Sequence, residues 1–144
     1  MEPVFNAYAA YYDCLYQDKD YKSEIDYLHS VLIEYSVFDG QILDLGCGTG
    51  KHAQYLATLG YKVIGCDLSE EMVQRANIEL PDRLKHLVTF NVGDVRTFRL
   101  GGKCDAVISQ FHVASYQILN EDIQSMINTA ANHLNSNGIF NLGF

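Results

Sequence analysis

The sequence predicts an α/β fold, a doubly wound parallel sheet of five strands in the order 3-2-1-4-5 behind N-terminal helices. Three observations lead there. Short apolar runs alternate with amphipathic stretches of helical period, the signature of βαβ units whose sheet is covered on both faces. Right-handed crossovers restrict how successive strands join that sheet. Glycines and single acids then cluster just after the first three strands, at the end of an open α/β sheet where ligands bind. The pattern is Rossmann-like.

The elements follow in order. The first forty residues read as helical, with Ile25, Leu28, Leu32 and Tyr35 spaced to form one apolar face, and Gly40 ends them. Ile42 to Leu45 is strand one. Ala53, Leu56 and Ala57 mark the next helix, which Gly60 stops. Lys62 to Cys66 is strand two. Ser69 is a natural N-cap, and Glu70 and Glu71 sit where the helix dipole favours negative charge. That helix carries Met72, Ala76 and Leu80 and cannot pass Pro81. Leu87 to Val92 is strand three, and Ala106 to Ser109 is strand four. Asn120-Glu121-Asp122 opens a helix whose stripe is Ile123, Met126, Ile127, Ala130 and Leu134. Gly138 ends the following turn, and Ile139 to Leu142 is strand five. Two regions are expected: an N-terminal helical cap over 1–40 and a ligand-binding domain over 41–144.

With 48% apolar residues in a chain of 144, there is enough material for a core. Ten basic against eighteen acidic residues leave a net charge of −8, which argues against nucleic acid or an anionic membrane as partner. No run is apolar for long enough to span a bilayer, and Met1-Glu2-Pro3 does not open a signal peptide. Cys14, Cys47, Cys66 and Cys104 are scattered without a C-x-x-C pair, and read as reduced thiols of a cytoplasmic protein. No two of His29, His52, His86, His112 and His133 stand at i, i+4, so no metal is expected.

The chemistry concentrates in Asp44-Leu45-Gly46-Cys47-Gly48-Thr49-Gly50, between strand one and the next helix. Glycines there permit a sharp turn and a close ligand approach. A dinucleotide fingerprint needs a glycine where Lys51 stands, which disfavours a nicotinamide oxidoreductase. Asp67 ends strand two, where an acid accepts ribose hydroxyls, and Gly93-Asp94-Val95 follows strand three, where a carboxylate and an amide flank an adenine.

In combination these residues resemble the class I S-adenosylmethionine-dependent methyltransferases: the acid and G-x-G-x-G of Asp44 to Gly50, the ribose acid Asp67 and the adenine-side acid Asp94. Looser matches point to small-molecule N-methyltransferases, notably those acting on nucleotide-linked amino sugars. They are Tyr12-Asp13, Lys19-Asp20-Tyr21, Phe98-Arg99-Leu100-Gly101 and Gln110 to Tyr116. The resemblance implies methyl transfer from S-adenosylmethionine, leaving S-adenosylhomocysteine, to a small-molecule amine. It implies cofactor contacts at Tyr12, Tyr21, Asp44, Gly46, Cys47, Gly48, Gly50, Asp67, Leu68, Met72, Asp94, Val95 and Gln110. Tyr116 and His112 are the candidates for the acceptor side, to take or relay the amine's proton.

Plainer roles stand beside these. Asp44 is equally an acid that braces its own loop, Asp67 a solvated strand end, Asp94 a turn residue, and Cys47 and Cys66 small packing groups. Tyr12 and Tyr21 reach a ligand only if the N-terminal helices fold over it. The class normally continues past strand five with a helix and an antiparallel strand pair, which this chain lacks. The expectation is therefore an incomplete domain, an open strand-five edge and self-association through it. A cofactor-binding module without catalysis, or an inactive fragment of a longer methyltransferase, is the alternative.

Overall fold

The computed structural model describes residues 21–109 and 120–142. The first helix among the described residues, α1 (Tyr21–Glu34), turns Ile25, Leu28 and Leu32 inward. Tyr35, expected on the same stripe, is 58% exposed. The helix ends before it: Ser36 takes a left-handed φ of 66°, and the N–H of Val37 donates to the carbonyl of Leu32 at 2.8 Å. That turn sends Val37 into the core in place of Tyr35.

Strand β1 (Gln41–Leu45) leads through the glycine loop into α2 (Lys51–Thr58). Helix α2 ends as the sequence predicts. Gly60 takes φ 101°, its N–H reaches the carbonyl of Ala57, and the N–H of Tyr61 reaches Leu56, the paired bonds of a Schellman cap. Tyr61 is fully buried and donates its hydroxyl to the carbonyl of Val37 at 2.7 Å, tying the entry of β2 to the turn after α1. Strand β2 (Lys62–Asp67) is followed by α3 (Glu70–Glu79), whose cap is Ser69, accepting from the N–H of Met72 at 3.2 Å. After a 3₁₀ turn at Asp82–Leu84 come β3 (Val88–Val92), β4 (Cys104–Ser109), α4 (Asn120–His133) and β5 (Leu134–Leu142).

All strands are parallel and lie in the order β3-β2-β1-β4-β5, the order the sequence predicts. Asp44 pairs with Gly65, and Asp67 with Val92, so the ends of β1, β2 and β3 come level. The sheet has a core on each face. On one, Ile42, Val63, Phe90 and Ile108 pack under α1, α2 and α3. On the other, Leu43, Leu45, Cys66 and Val107 meet Val95, Met126 and Ala130. Each fully buried Leu or Ile contributes roughly 1.5–3 kcal/mol.

The last helix and strand depart from expectation. Ile127 is exposed and Leu134 belongs to β5; Met126, Thr129, Ala130 and His133 form the buried stripe. His133 is pinned at both ring nitrogens. Nε2 accepts from the N–H of Leu100 and Nδ1 donates to the carbonyl of Thr129, each at 2.8 Å. β5 starts directly at the end of α4 rather than after Gly138. Its pairing with β4 jumps from Cys104↔Leu134 to Ala106↔Ile139, so residues 135–138 bulge from the ladder. No helix among the described residues is long and apolar enough to cross a membrane.

Candidate functional site

The connections after β1, β2 and β3 form the candidate site. The first is a tight turn with Gly46, Gly48 and Gly50 at φ 80°, 56° and 81°, the left-handed region that side chains disfavour. The N–H groups of Gly46 and Cys47 both donate to the carbonyl of Cys66, at 2.7 and 3.0 Å, holding the loop against the end of β2. Gly50 is doubly required, since a Cβ there would stand 2.5 Å from Cζ of Phe90. Gly65 is another close approach, where a Cβ would meet Cys47 Sγ at 2.9 Å.

Asp67 binds this loop from β2. Its Oδ2 accepts from the N–H of Gly48 and its Oδ1 from the N–H of Ser69, each at 2.9 Å. The sequence gives no sign of this brace. Burial pushes the Asp67 carboxyl above the usual range, while the N–H groups of Ser69 and Gly48 pull it back. A carboxylate has about four acceptor positions, so both oxygens retain capacity for a ligand's hydroxyls.

Asp44 is different. It is 1% exposed, and its Oδ2 has no hydrogen-bond partner among the described residues. Burial, and then the charge of Asp67, raise its pKa from 3.8 to about 7. An acid with a buried oxygen left unpaired costs free energy unless a donor reaches it.

Asp94 is committed elsewhere. Its Oδ1 accepts from the backbone N–H of Arg96 at 2.9 Å and from Nε at 3.0 Å, and its Oδ2 from a terminal guanidinium nitrogen at 2.6 Å. These bonds hold its carboxyl below the usual carboxylate range. The other terminal nitrogen of Arg96 donates to Asp122 in the first turn of α4, at 3.1 Å. The reading of the sequence missed Arg96. Its place two residues after Asp94 was the available signal, whereas Asp122 is far away in the chain.

Around these acids, Leu68 is 36% exposed at the rim, whereas Met72, Val95 and Cys47 are buried. Cys47 and Cys66 are free thiols whose pKa values burial raises. Tyr21 stands edge-on to His52 of α2, ring centroids 5.0 Å apart. Ser109, fully buried, donates its hydroxyl to the carbonyl of Leu45 at 3.0 Å and joins the ends of β4 and β1. Tyr12, Gln110, His112 and Tyr116 lie outside the described residues. Among the described residues no three His, Cys, Asp or Glu side chains gather as metal ligands.

A family described as methyltransferase domain matches residues 42–138, more than half of the chain. A relative from Streptomyces venezuelae, dTDP-3-amino-3,4,6-trideoxy-alpha-D-glucopyranose N,N-dimethyltransferase, is 32% identical over 134 residues, covering 92% of this chain and 54% of its own length. The crystal structure of Streptomyces venezuelae DesVI superposes with a TM-score of 0.80 at 32% identity, covering 92% of this chain and 55% of that one. CalS10 of Micromonospora echinaspora, an amino pentose methyltransferase solved with S-adenosylmethionine bound, gives a TM-score of 0.77 at 28% identity, covering 86% and 51%. The chain thus spans about half the length of the curated relatives it matches.

Proposed function

The chain belongs to the methyltransferase-domain family, and from that premise we propose that the protein methylates an amine of a small molecule, a nucleotide-linked amino sugar, with S-adenosylmethionine as donor. The observation that carries the donor assignment is Asp44. A buried carboxyl with an oxygen unpaired among the described residues, beside a turn whose glycines carry no side chains, fits the ammonium end of a cationic amino-acid ligand. The acceptor class rests on relatives named as amino-sugar N,N-dimethyltransferases.

Bound S-adenosylmethionine supplies a methyl group already activated by its sulfonium. The chain's residues do the rest. Asp44 would pair with the ammonium, Asp67 would accept the ribose hydroxyls, and Asp94 with the amide of Val95 would flank the adenine. Gly46, Cys47, Gly48 and Gly50 admit the ligand through the bare backbone of their turn. Leu68 and Met72 would pack beside it, and Tyr12, Tyr21 and Gln110 are the further cofactor contacts of this reading. His112 or Tyr116 takes the proton that the acceptor amine loses. Holding the amine in line is worth about 7–11 kcal/mol of the barrier.

In this reading residues 1–40 are the cap over the domain of residues 41–144, and no nucleic acid or membrane takes part. Among the described residues β5 pairs only with β4, and its open edge supports self-association. The buried free thiols of Cys47, Cys66 and Cys104 suit the cytoplasm.

The test has two arms on the full chain. In calorimetric titration, S-adenosylmethionine and S-adenosylhomocysteine should bind and NAD should not. Labelled methyl should then pass to dTDP-linked amino sugars. Binding without transfer to any amine would leave a cofactor module, and NAD binding alone would overturn the family-based reading.

A further inference from the structure

We infer that Arg96 is a positioning residue that joins the adenine-side acid Asp94 to the first turn of α4, and so links the cofactor pocket to the helix following residues 110–119. The inference rests on the function proposed above.

The geometry is a bridge between two carboxylates on different elements. Arg96 grips Asp94 with its backbone N–H, Nε and one terminal nitrogen, at 2.9, 3.0 and 2.6 Å. Its second terminal nitrogen reaches Asp122, twenty-six residues on, at 3.1 Å. Only a planar fork serves both partners at once; an ammonium is a single point of charge. The bonds to Asp94 fix the carboxylate plane through both oxygens, since Nε also reaches Oδ2 at 3.1 Å. The plane so fixed sets the direction in which the carboxylate faces a further donor, such as the exocyclic amine of adenine.

The far end of the bridge matters because of what precedes α4. Residues 110–119 contain His112 and Tyr116, and they run directly into Asn120, where α4 begins. Asp122 lies in the first turn of the helix that follows that segment. The same first turn holds Glu121, so without Arg96 two acids stand there with no guanidinium beside Asp122.

Two variants separate this role from simple surface charge. Arg96→Lys keeps the charge and loses the fork; Asp122→Asn cuts only the α4 arm. Both should keep the wild-type circular dichroism spectrum, because Arg96 is exposed on one side. The first reading is amide exchange in the ligand-free chain at Gln124 to Ile127, early in α4. Both variants should speed it about threefold, the size expected for an exposed ion pair. The second is binding of S-adenosylhomocysteine against its 6-oxo analogue, S-inosylhomocysteine. Arg96→Lys should lose about tenfold of the wild-type preference for the amine, and Asp122→Asn should keep it. Unchanged exchange in both variants, or a preference that survives Arg96→Lys, would overturn the inference. If the wild-type chain bound neither nucleoside, the function proposed above would fall, while the exchange comparison would still decide the bridge.

Discussion

Asp67 and Asp44 are neighbouring acids with opposite problems. Asp67 already holds the N–H groups of Gly48 and Ser69, so Asp67→Ala strands two donors as well as removing a ligand contact. Affinity for S-adenosylhomocysteine should fall by about 1.5–3 kcal/mol in calorimetry. Unfolding stability should fall too, by about 1–3 kcal/mol in urea titration. Normal affinity would remove Asp67 from the site. Asp44 has an oxygen without a partner among the described residues. Asp44→Asn keeps the shape, removes the charge, and should weaken binding of the same ligand by at least about tenfold. At this scale the sequence named the acids but not their partners. Asp44 and Asp67 were readable because each ends a short apolar run beside glycines. That Asp67 braces the turn, and that Arg96 spends Asp94, depends on which backbone comes within 3 Å, a distance no spacing encodes.

The elements were the most legible level, because their boundaries are written in residue chemistry. Gly60 is the clearest case. Its φ of 101° closes α2, and a Cβ there meets nothing within 4 Å. Gly60→Ala should therefore cost only the left-handed backbone penalty, about 1 kcal/mol, with ligand affinity unchanged. Gly50→Ala adds a collision with Phe90 to a φ of 81° and should lower both stability and affinity. Paired urea and calorimetric titrations tell the two apart; equal loss of affinity would show that the turn after α2 is coupled to the site. Periodicity failed where an element ended early. Tyr35 continues the stripe of α1 in spacing, but Ser36 has already turned the chain. Leu134 continues that of α4, but β5 has begun, and buried Thr129 and His133 are polar residues that an apolar count passes over. Their side chains bond within the helix and to Leu100, which makes burial tolerable.

On the scale of the whole molecule, the buried acids set how stability depends on pH. Asp44 titrates at about 7 in the folded chain against 3.8 ordinarily. The folded state therefore holds this proton where the unfolded state has released it, and stability falls as pH rises between those two values. The loss is complete above about pH 7 and is on the order of 4 kcal/mol for this group. Asp67, also raised, adds a loss of the same sign. Asp94 works in the other direction. Its depressed pKa adds stability above the ordinary carboxylate range, and that is lost as pH falls through the folded value. The ligand-free chain should then be most stable on the acidic side of neutrality, and its net charge of −8 reinforces the decline toward high pH. The ammonium group of the ligand reverses the balance at Asp44, because it pairs with the ionised carboxyl. Below about pH 7 the dissociation constant for S-adenosylhomocysteine should rise up to tenfold for each unit by which pH falls. Thermal melting with and without this ligand, from about pH 5.5 to 7.5, measures both effects in one series. In Asp44→Asn the ligand-free decline should flatten and the ligand's gain should lose its pH dependence. A wild-type chain whose ligand-induced gain is constant over that range would show that Asp44 does not meet the cation.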